Sequence, residues 1–451
     1  MSEVKLSHKL KNRHLQMIAL GGVIGSGLFF GSAKSIHLTG PSIILAYLLG
    51  GLVIYIIMRA LGEMSVDNPN SGSFSQYAHN YVSPYAGFIS GWSAWFEYTI
   101  VCMVELTVVT IFFDSLIPGI PHWLLGLGIL VLFTIINLLN VKIFGEFEFW
   151  FAGIKIVAIV LMLVFSAYLI FFKHGLNPDI KEYSKSNLFF AGGLSGFLTS
   201  LVVVVFSFGG TEFVSIAAGE SENPQKNVPR AINGVLIRII LFYILTMLAI
   251  ILLYPYQKLA TNISPFVDVF NSIGFHYAAL IMNIVAITAA LSAFNSCMYS
   301  ASRMLFNLSK NGYAPKILSH NREGSNRHVP IKTVLFTSTA VVIAVIINYI
   351  FPDKAFMYLL TVATSAILIV WFMVLITQMY FRKNKDAAQL SFKMKLFPYS
   401  NIFAIFVLMI VMYEMTKMDD MRLSVFVTPF WILVLSIIYI LNKKAVTKRS
   451  S

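Results

Sequence analysis

MIALGGVIGSGLFFG at residues 17–31 and LVVVVFSFGGTEFVSIAAGE at residues 201–220 are apolar runs, each interrupted by glycine. Glycine costs about 1 kcal/mol relative to alanine in a helix. A single pair of small residues four apart can serve as a helix-packing face. Gly21, Gly22, Gly25 and Gly27 cover more than one face, so local unwinding explains them better. Unwound backbone inside a membrane is tolerated only where it is buried in protein or lines a cavity. Its freed groups then become ligand contacts. The N–H groups of Ser26 and Gly27, just after Gly25, open an outer half-helix and offer a positive dipole end to a carboxylate. Carbonyls near Val23 would accept from an ammonium. A free amino acid carries both groups on one carbon. The glycine order is not GxGxxG and no strand precedes it, which excludes a dinucleotide loop.

In the second run Gly209 and Gly210 form the interruption, flanked by Ser207, Thr211 and Glu212. A carboxylate in mid-span costs about 2.5–3.5 kcal/mol on insertion scales and marks a functional position by default. The alternative role for Glu212 is structural, satisfying amides freed at the break. Phe206 stands just before the break, where an aromatic ring can close over a substrate.

The rest of the chain supplies the setting. Of 451 residues, 57% are hydrophobic and 12% charged, against about 25% charged in a soluble domain. Apolar segments long enough to cross a bilayer recur near 15–34, 41–63, 86–113, 122–140, 149–172, 194–219, 232–254, 274–303, 331–350, 354–380, 397–416 and 423–441. An all-α integral membrane protein with twelve transmembrane helices is expected. The net charge of +13 follows the loops: most of the 33 basic residues fall on one side, among them Lys226, Arg230, Arg303 and Arg382. The positive-inside rule then predicts both termini in the cytoplasm and a multi-pass protein of the cell membrane. No contiguous basic face exists for nucleic acid. Cys102 and Cys297 sit inside spans, so no disulfide framework is expected. The first apolar segment lacks a small-x-small cleavage site, so no cleavable signal is expected.

At the level of hydropathy the first five spans overlay the next five, each set beginning with a glycine-interrupted helix. Five is odd, so the second copy would be inverted, as in many secondary transporters. This gives a 1–14 tail, a 15–380 transport core, a 381–396 loop, two additional spans over 397–441 and a 442–451 tail. The 304–330 stretch is amphipathic at its start and is expected along the inner surface.

FSFGGTEFVSIAAGESENPQKNVPRAI (206–232), GGVIGSGLFFGS (21–32) and NVKIFGEFEFWFAGIKIVAIV (140–160) resemble the amino acid transporter family of the amino acid–polyamine–organocation superfamily. HLTGPSIILAY (37–47), SPFVDVF (264–270) and SASRMLFNLSKNGYAPK (300–316) fit the same family. The resemblance runs from about residue 10 to 440. It implies a LeuT-like fold with a 5+5 inverted repeat and broken first and sixth helices. It also implies amino-acid import, usually by proton symport, with no cofactor. By position, Ser26 and Gly27 would hold the substrate carboxylate. The carbonyls of Val23, Phe206 and Gly209 would receive the amine, with Phe206 as inner gate. Gly25, Ser207 and Cys102 complete the candidate substrate-binding set. Lys155 matches a lysine that in relatives takes the place of a sodium ion and braces the first helix; snorkelling is its alternative. Glu212 matches a position that helps couple protons.

Specificity should come from the third span, GWSAWFEYTIVCMVELTVVTIFF, which carries Glu97 and Glu105. Eight residues apart, they share roughly one helix face, and both join Glu212 and Lys155 as candidates for proton coupling or gating. Met-x-Glu-Leu-Thr at 103–107 resembles members that carry aromatic amino acids, and so does the terminal KMDDMRLSVFVTPFWI, which also resembles carriers of small ones. The glutamates around 212 and 220 resemble lysine carriers. A neutral substrate ranks first and a cationic one (lysine or histidine) second. Exchange of one amino acid for another is the alternative to symport. Clustered catalytic residues or a pore-lining charge ring would indicate an enzyme or channel, and neither is present. The Lys-, Ile- and Asn-rich composition suggests a bacterium; a monomer or weak oligomer is expected.

Overall fold

Inside a bilayer every backbone N–H and C=O must be paired within the protein, so apolar runs of this length fold as helices. The computed structural model describes residues 13, 16–17, 22, 24–69, 73–139, 141–172, 176–184, 186–218, 221–319, 329–352, 354–386 and 390–450. Each of the twelve predicted segments overlaps a helix. The helices used below are α1 (Ser32–Thr39, entered through a π turn at Gly27–Gly31), α2 (Ile43–Asp67), α3 (Ser73–Tyr81), α4 (Pro84–Asp114), α5 (His122–Leu138) and α6 (Val141–Phe172). There follow α7 (Gly193–Ser207), α8 (Phe213–Ala218), α9 (Pro224–Asn233), α10 (Leu245–Leu253), α11 (Pro265–Ser272) and α12 (His276–Lys310). The last are α13 (Ile331–Ile350), α14 (Ala355–Asn384), α15 (Tyr399–Lys417) and α16 (Asp419–Ser450). Among the described residues, nine helical runs are long and apolar enough to cross a membrane, while α5 and α7 are shorter apolar helices.

α4 is the central post. Ser83 starts it by accepting from the Ala86 amide at 3.1 Å, with Pro84 at the first position, where its missing N–H costs nothing. It is buried almost along its length against α12 and α14. Ala286, Ala289, Ala290 and Ala293 keep α12 slender, allowing that close approach. α6 and α16 lie at the edge, where Trp150, Leu161, Val164, Phe430 and Leu441 are exposed. Apolar exposure on this scale suits lipid.

Several boundaries differ from the sequence reading for packing reasons. The start of the 304–330 stretch does not lie along a surface: α12 continues to Lys310 with Met304, Leu305, Phe306 and Leu308 buried, while residues 320–328 lie outside the described residues. Leu308 fills the space beside Gly91, where a Cβ would stand 2.6 Å from its Cδ2. Arg303 is buried against the Tyr299 ring, 4.1 Å from its centroid. α16 runs on to Ser450, past the predicted end of the last span at 441. Outside the spans, burial pushes the Tyr313 hydroxyl up to about 12 while it donates to the Pro84 carbonyl at 2.9 Å.

α2 and α14 are joined by a buried polar cluster. Arg382 Nε lies 2.6 Å from Glu63 Oε1, Gln378 Nε2 donates to Glu63 Oε2 at 2.6 Å, and Asn401 donates to Gln378 at 2.8 Å. Removing one partner strands a buried charge, which costs about 3–5 kcal/mol. Glu63→Ala should therefore lower the thermal unfolding temperature of the purified protein far more than Lys385→Ala. Lys385 is an exposed partner of Asp67 at 3.1 Å, and such pairs contribute about 0–1 kcal/mol. Equal shifts for the two variants would refute this account.

Candidate functional site

The two interrupted helices cross each other, and the crossing is built on contacts that only glycine permits. A Cβ on Gly27 would stand 2.5 Å from Ser207 Cα. Gly210, at φ +94°, would place its Cβ 2.5 Å from the Gly22 carbonyl oxygen. The positive φ and the close approach both require glycine there. The first break therefore lies directly against the second, with Gly31 beside Val203 one turn further on.

At the first break the Ile24 carbonyl accepts from Lys155 Nζ at 2.9 Å. Lys155 is wholly buried on α6, so it does not snorkel. It is electrostatically coupled to Glu148, which accepts from Ser292 Oγ at 2.6 Å, and to Glu105. The Ser26 amide lies 3.1 and 3.2 Å from the two oxygens of Glu105, and Ser26 Oγ donates to the same carboxylate at 2.8 Å. Gly25 leaves the room for this, since a Cβ there would meet Glu105 Oε1 at 2.6 Å.

The second break has the same plan. The Ser207 carbonyl accepts from the Tyr243 hydroxyl at 3.0 Å, and Ser207 Oγ donates to Val203 O at 2.9 Å. The Gly210 amide donates to Glu212 Oε1 at 3.2 Å, and Thr211 Oγ1 to Oε2 at 3.3 Å. Gly209 donates to the Phe206 carbonyl at 3.0 Å. From Ser200 to Ile216 only Gly209 is less than fully buried.

Glu97 is fully buried on α4 and faces Glu212 and Tyr98. Its carboxyl lies within hydrogen-bonding reach of the Glu212 carboxyl, and no N–H or hydroxyl group donates to either of its oxygens among the described residues. Cys102 donates to the Phe294 carbonyl at 3.6 Å, and both cysteines are free. Val23, Gly21 and Glu220 lie outside the described residues. No group of three metal-ligating side chains occurs among the described residues.

The sequence reading passed over Tyr47, Tyr243, Glu148 and an aromatic cluster beyond the first break. Phe30 packs edge-on against Phe112 and Phe356, with ring centroids 5.8 and 4.7 Å apart, and Phe29 packs on Phe266 at 5.1 Å. Tyr47 and Tyr243 carried one usable signal. A tyrosine hydroxyl in an apolar span must find a partner. Away from the breaks, a 610 Å³ groove between α6 and α12, walled by Trp150, Ile154, Leu161 and Met282, is apolar and suits an acyl chain.

A paired break in the centre of a bundle brings together backbone groups of the kind a small zwitterion would engage. Comparison with known proteins gives the family. Residues 14–450 match the family model described as amino acid permease. The chain belongs to that family. It is 41% identical over 447 residues to the aromatic amino acid transport protein AroP of Escherichia coli K12, covering 98% of this chain and 96% of the relative. It is 40% identical over 443 residues to AroP of Salmonella typhimurium LT2, with the same coverage. An uncharacterized transporter of Bacillus subtilis, YdgF, is 39% identical over 450 residues, covering 98% and 97%. The chain is thus a multi-pass membrane permease of the amino-acid transport class and not an enzyme.

The crossing makes a sharp prediction. Gly27→Ala forces its Cβ into the Ser207 backbone, an overpacking that costs about 1–3 kcal/mol. It should lower the unfolding temperature and abolish uptake. Gly153→Ala, where nothing lies within 4 Å of the added carbon, should be neutral in both assays. A Gly27→Leu protein with intact uptake would rule out the crossing as the transport site.

Proposed function

We propose that this permease imports neutral amino acids, aromatic ones first, by proton symport with alternating access about the two breaks. The observation that carries the substrate class is the 41% identity, over nearly the whole of both chains, with a protein named for aromatic amino acid transport. The Met-x-Glu-Leu-Thr pattern at 103–107 and the aromatic surface of Phe30, Phe112 and Phe356 support the same class. The scaffold of this proposal is twelve spans in a five-plus-five inverted repeat, with both termini cytoplasmic.

The Ser26 and Gly27 amides receive the substrate carboxylate at the start of the helical run Gly27–Thr39. Gly209 and Phe206 turn carbonyls toward the amine, and the exposure of Gly209 supports access there. Glu97, Glu105 and Glu212 are the proton acceptors within reach, and Lys155 holds the first break in register. An inward proton contributes about 2.3 kcal/mol per 100 mV, enough for useful accumulation with one proton per substrate.

A second reading, import of cationic amino acids, draws on the buried carboxyl pair Glu97 and Glu212, which suits a substrate ammonium. Uptake of labelled phenylalanine into proteoliposomes under an imposed inward proton gradient separates the readings. Unlabelled tyrosine and tryptophan should compete, lysine and histidine should not, and a protonophore should abolish accumulation. Competition by lysine that Glu97→Gln removes would favour the cationic reading. Uptake that needs internal substrate and ignores the gradient would make the protein an exchanger.

A further inference from the structure

The amides assigned to the substrate carboxylate already hold a carboxylate. Glu105 receives hydrogen bonds from Ser26 N and Ser26 Oγ, as a bound amino acid would. We propose that Glu105 is a tethered competitor for the substrate carboxylate, and that its release with uptake of one proton couples proton entry to substrate binding. The inference rests on the amino-acid reading above and assigns that site its coupling residue.

Ser26 offers one N–H and one O–H, and both point at Glu105. A substrate carboxylate cannot take them while Glu105 stays, and two carboxylates crowded on one seat repel each other. Glu105 must therefore leave, into surroundings that are buried on every side. The titratable groups that face it are few. Lys155 stands on α6, Cys297 on α12, and Tyr243 in the π turn Ile240–Ile244. Pairing with Lys155 would draw that ammonium from the Ile24 carbonyl and from Glu148, undoing the brace of the first break. Taking a proton leaves the brace intact. A Glu105 oxygen gains a proton from the aqueous side and becomes a carboxylic acid, while the Ser26 donors pass to the substrate. No other bond forms or breaks. The loaded protein then carries one more positive charge than the empty one, because the zwitterion adds none. On release the substrate vacates Ser26, Glu105 gives up its proton and returns, and the seat is closed again.

Gly25 and Cys102 fit this arrangement. Gly25 leaves the gap through which the carboxylate reaches Ser26, and Cys102, one helical turn before Glu105, is held to α12 through the Phe294 carbonyl.

The test is proton uptake on binding, measured with a pH indicator in weakly buffered detergent solution. The full-length protein is titrated with L-phenylalanine, and thermal shift is recorded in parallel. Wild type should take up about one proton per phenylalanine bound, and its affinity should tighten about tenfold per pH unit lowered, wherever Glu105 is charged in the empty protein. Glu105→Gln removes the charge but keeps an oxygen for Ser26. It should bind phenylalanine more tightly than wild type at high pH, without proton uptake and with less than about a twofold change in affinity per pH unit. Glu105→Ala, which vacates the seat, should behave likewise. Binding by wild type without proton uptake would overturn the proposal, and so would unchanged pH dependence in Glu105→Gln. Folded Glu105→Gln and Glu105→Ala proteins that no longer bind would make Glu105 a direct substrate ligand instead. If no amino acid stabilises any of these proteins, the amino-acid reading itself fails and takes this inference with it.

Discussion

A helix that unwinds inside a bilayer exposes amides and carbonyls that water cannot reach, and each one left unpaired costs several kcal/mol. Two helices here unwind side by side, and the surrounding side chains are chosen to answer that cost. Lys155 takes the Ile24 carbonyl and Glu105 the Ser26 amide; Tyr243 takes the Ser207 carbonyl and Glu212 the Gly210 amide. Each break thus has one donor for its freed carbonyl and one glutamate for its freed amide. Three of these four partners are ionisable side chains, tolerated at this depth because the backbone needs them.

The remaining architecture serves to bring those four side chains to one place. α4 carries Glu105 and must stand beside both breaks, which explains why it is buried nearly all round. α6 must tilt inward enough for Lys155 to reach Ile24 while its other face, with Trp150 and Leu161, stays in lipid. The two breaks must touch, and the Gly27–Ser207 approach lets them. A bundle with larger residues at these positions would separate the helices and leave four backbone groups without partners.

Both breaks were legible in the sequence, since Gly21, Gly22, Gly25, Gly27 and the Gly209–Gly210 pair cannot sit in a regular helix without cost. Lys155 and the three glutamates were legible as costly residues that needed a reason. Their destinations were not. Glu105 and Ser26 are 79 positions apart, and nothing local in either stretch encodes that pairing. Tyr47 and Tyr243 were lost among the aromatic residues of apolar spans, where only the geometry tells a packing ring from a hydroxyl donor. Boundaries failed where burial was tertiary. Residues 304–310 read as amphipathic because their apolar side faces α4, not a membrane surface. The family resemblance supplied the roles of the backbone groups, but it could not say that one of them is already taken.

A transporter built this way must undo part of what stabilises it. If every freed amide had a permanent partner, the breaks would be inert structural kinks. If none had, the empty protein would bear the full cost of desolvated backbone. In the coupling proposed above, glutamate resolves the conflict because a proton weakens its hold on an amide, which an aliphatic or amide side chain cannot offer. Lysine and tyrosine hold the carbonyl side through donors that need not leave. In the proposed binding mode, the asymmetry between a releasable acceptor on the amide and a persistent donor on the carbonyl suits a carboxylate that enters and departs. Discrimination then falls elsewhere, because that mode addresses only the backbone shared by all amino acids. On that proposal the substrate side chain is read by the surroundings of the breaks, where Phe30, Phe112 and Phe356 supply aromatic surface and Glu97 supplies a carboxyl set against that of Glu212.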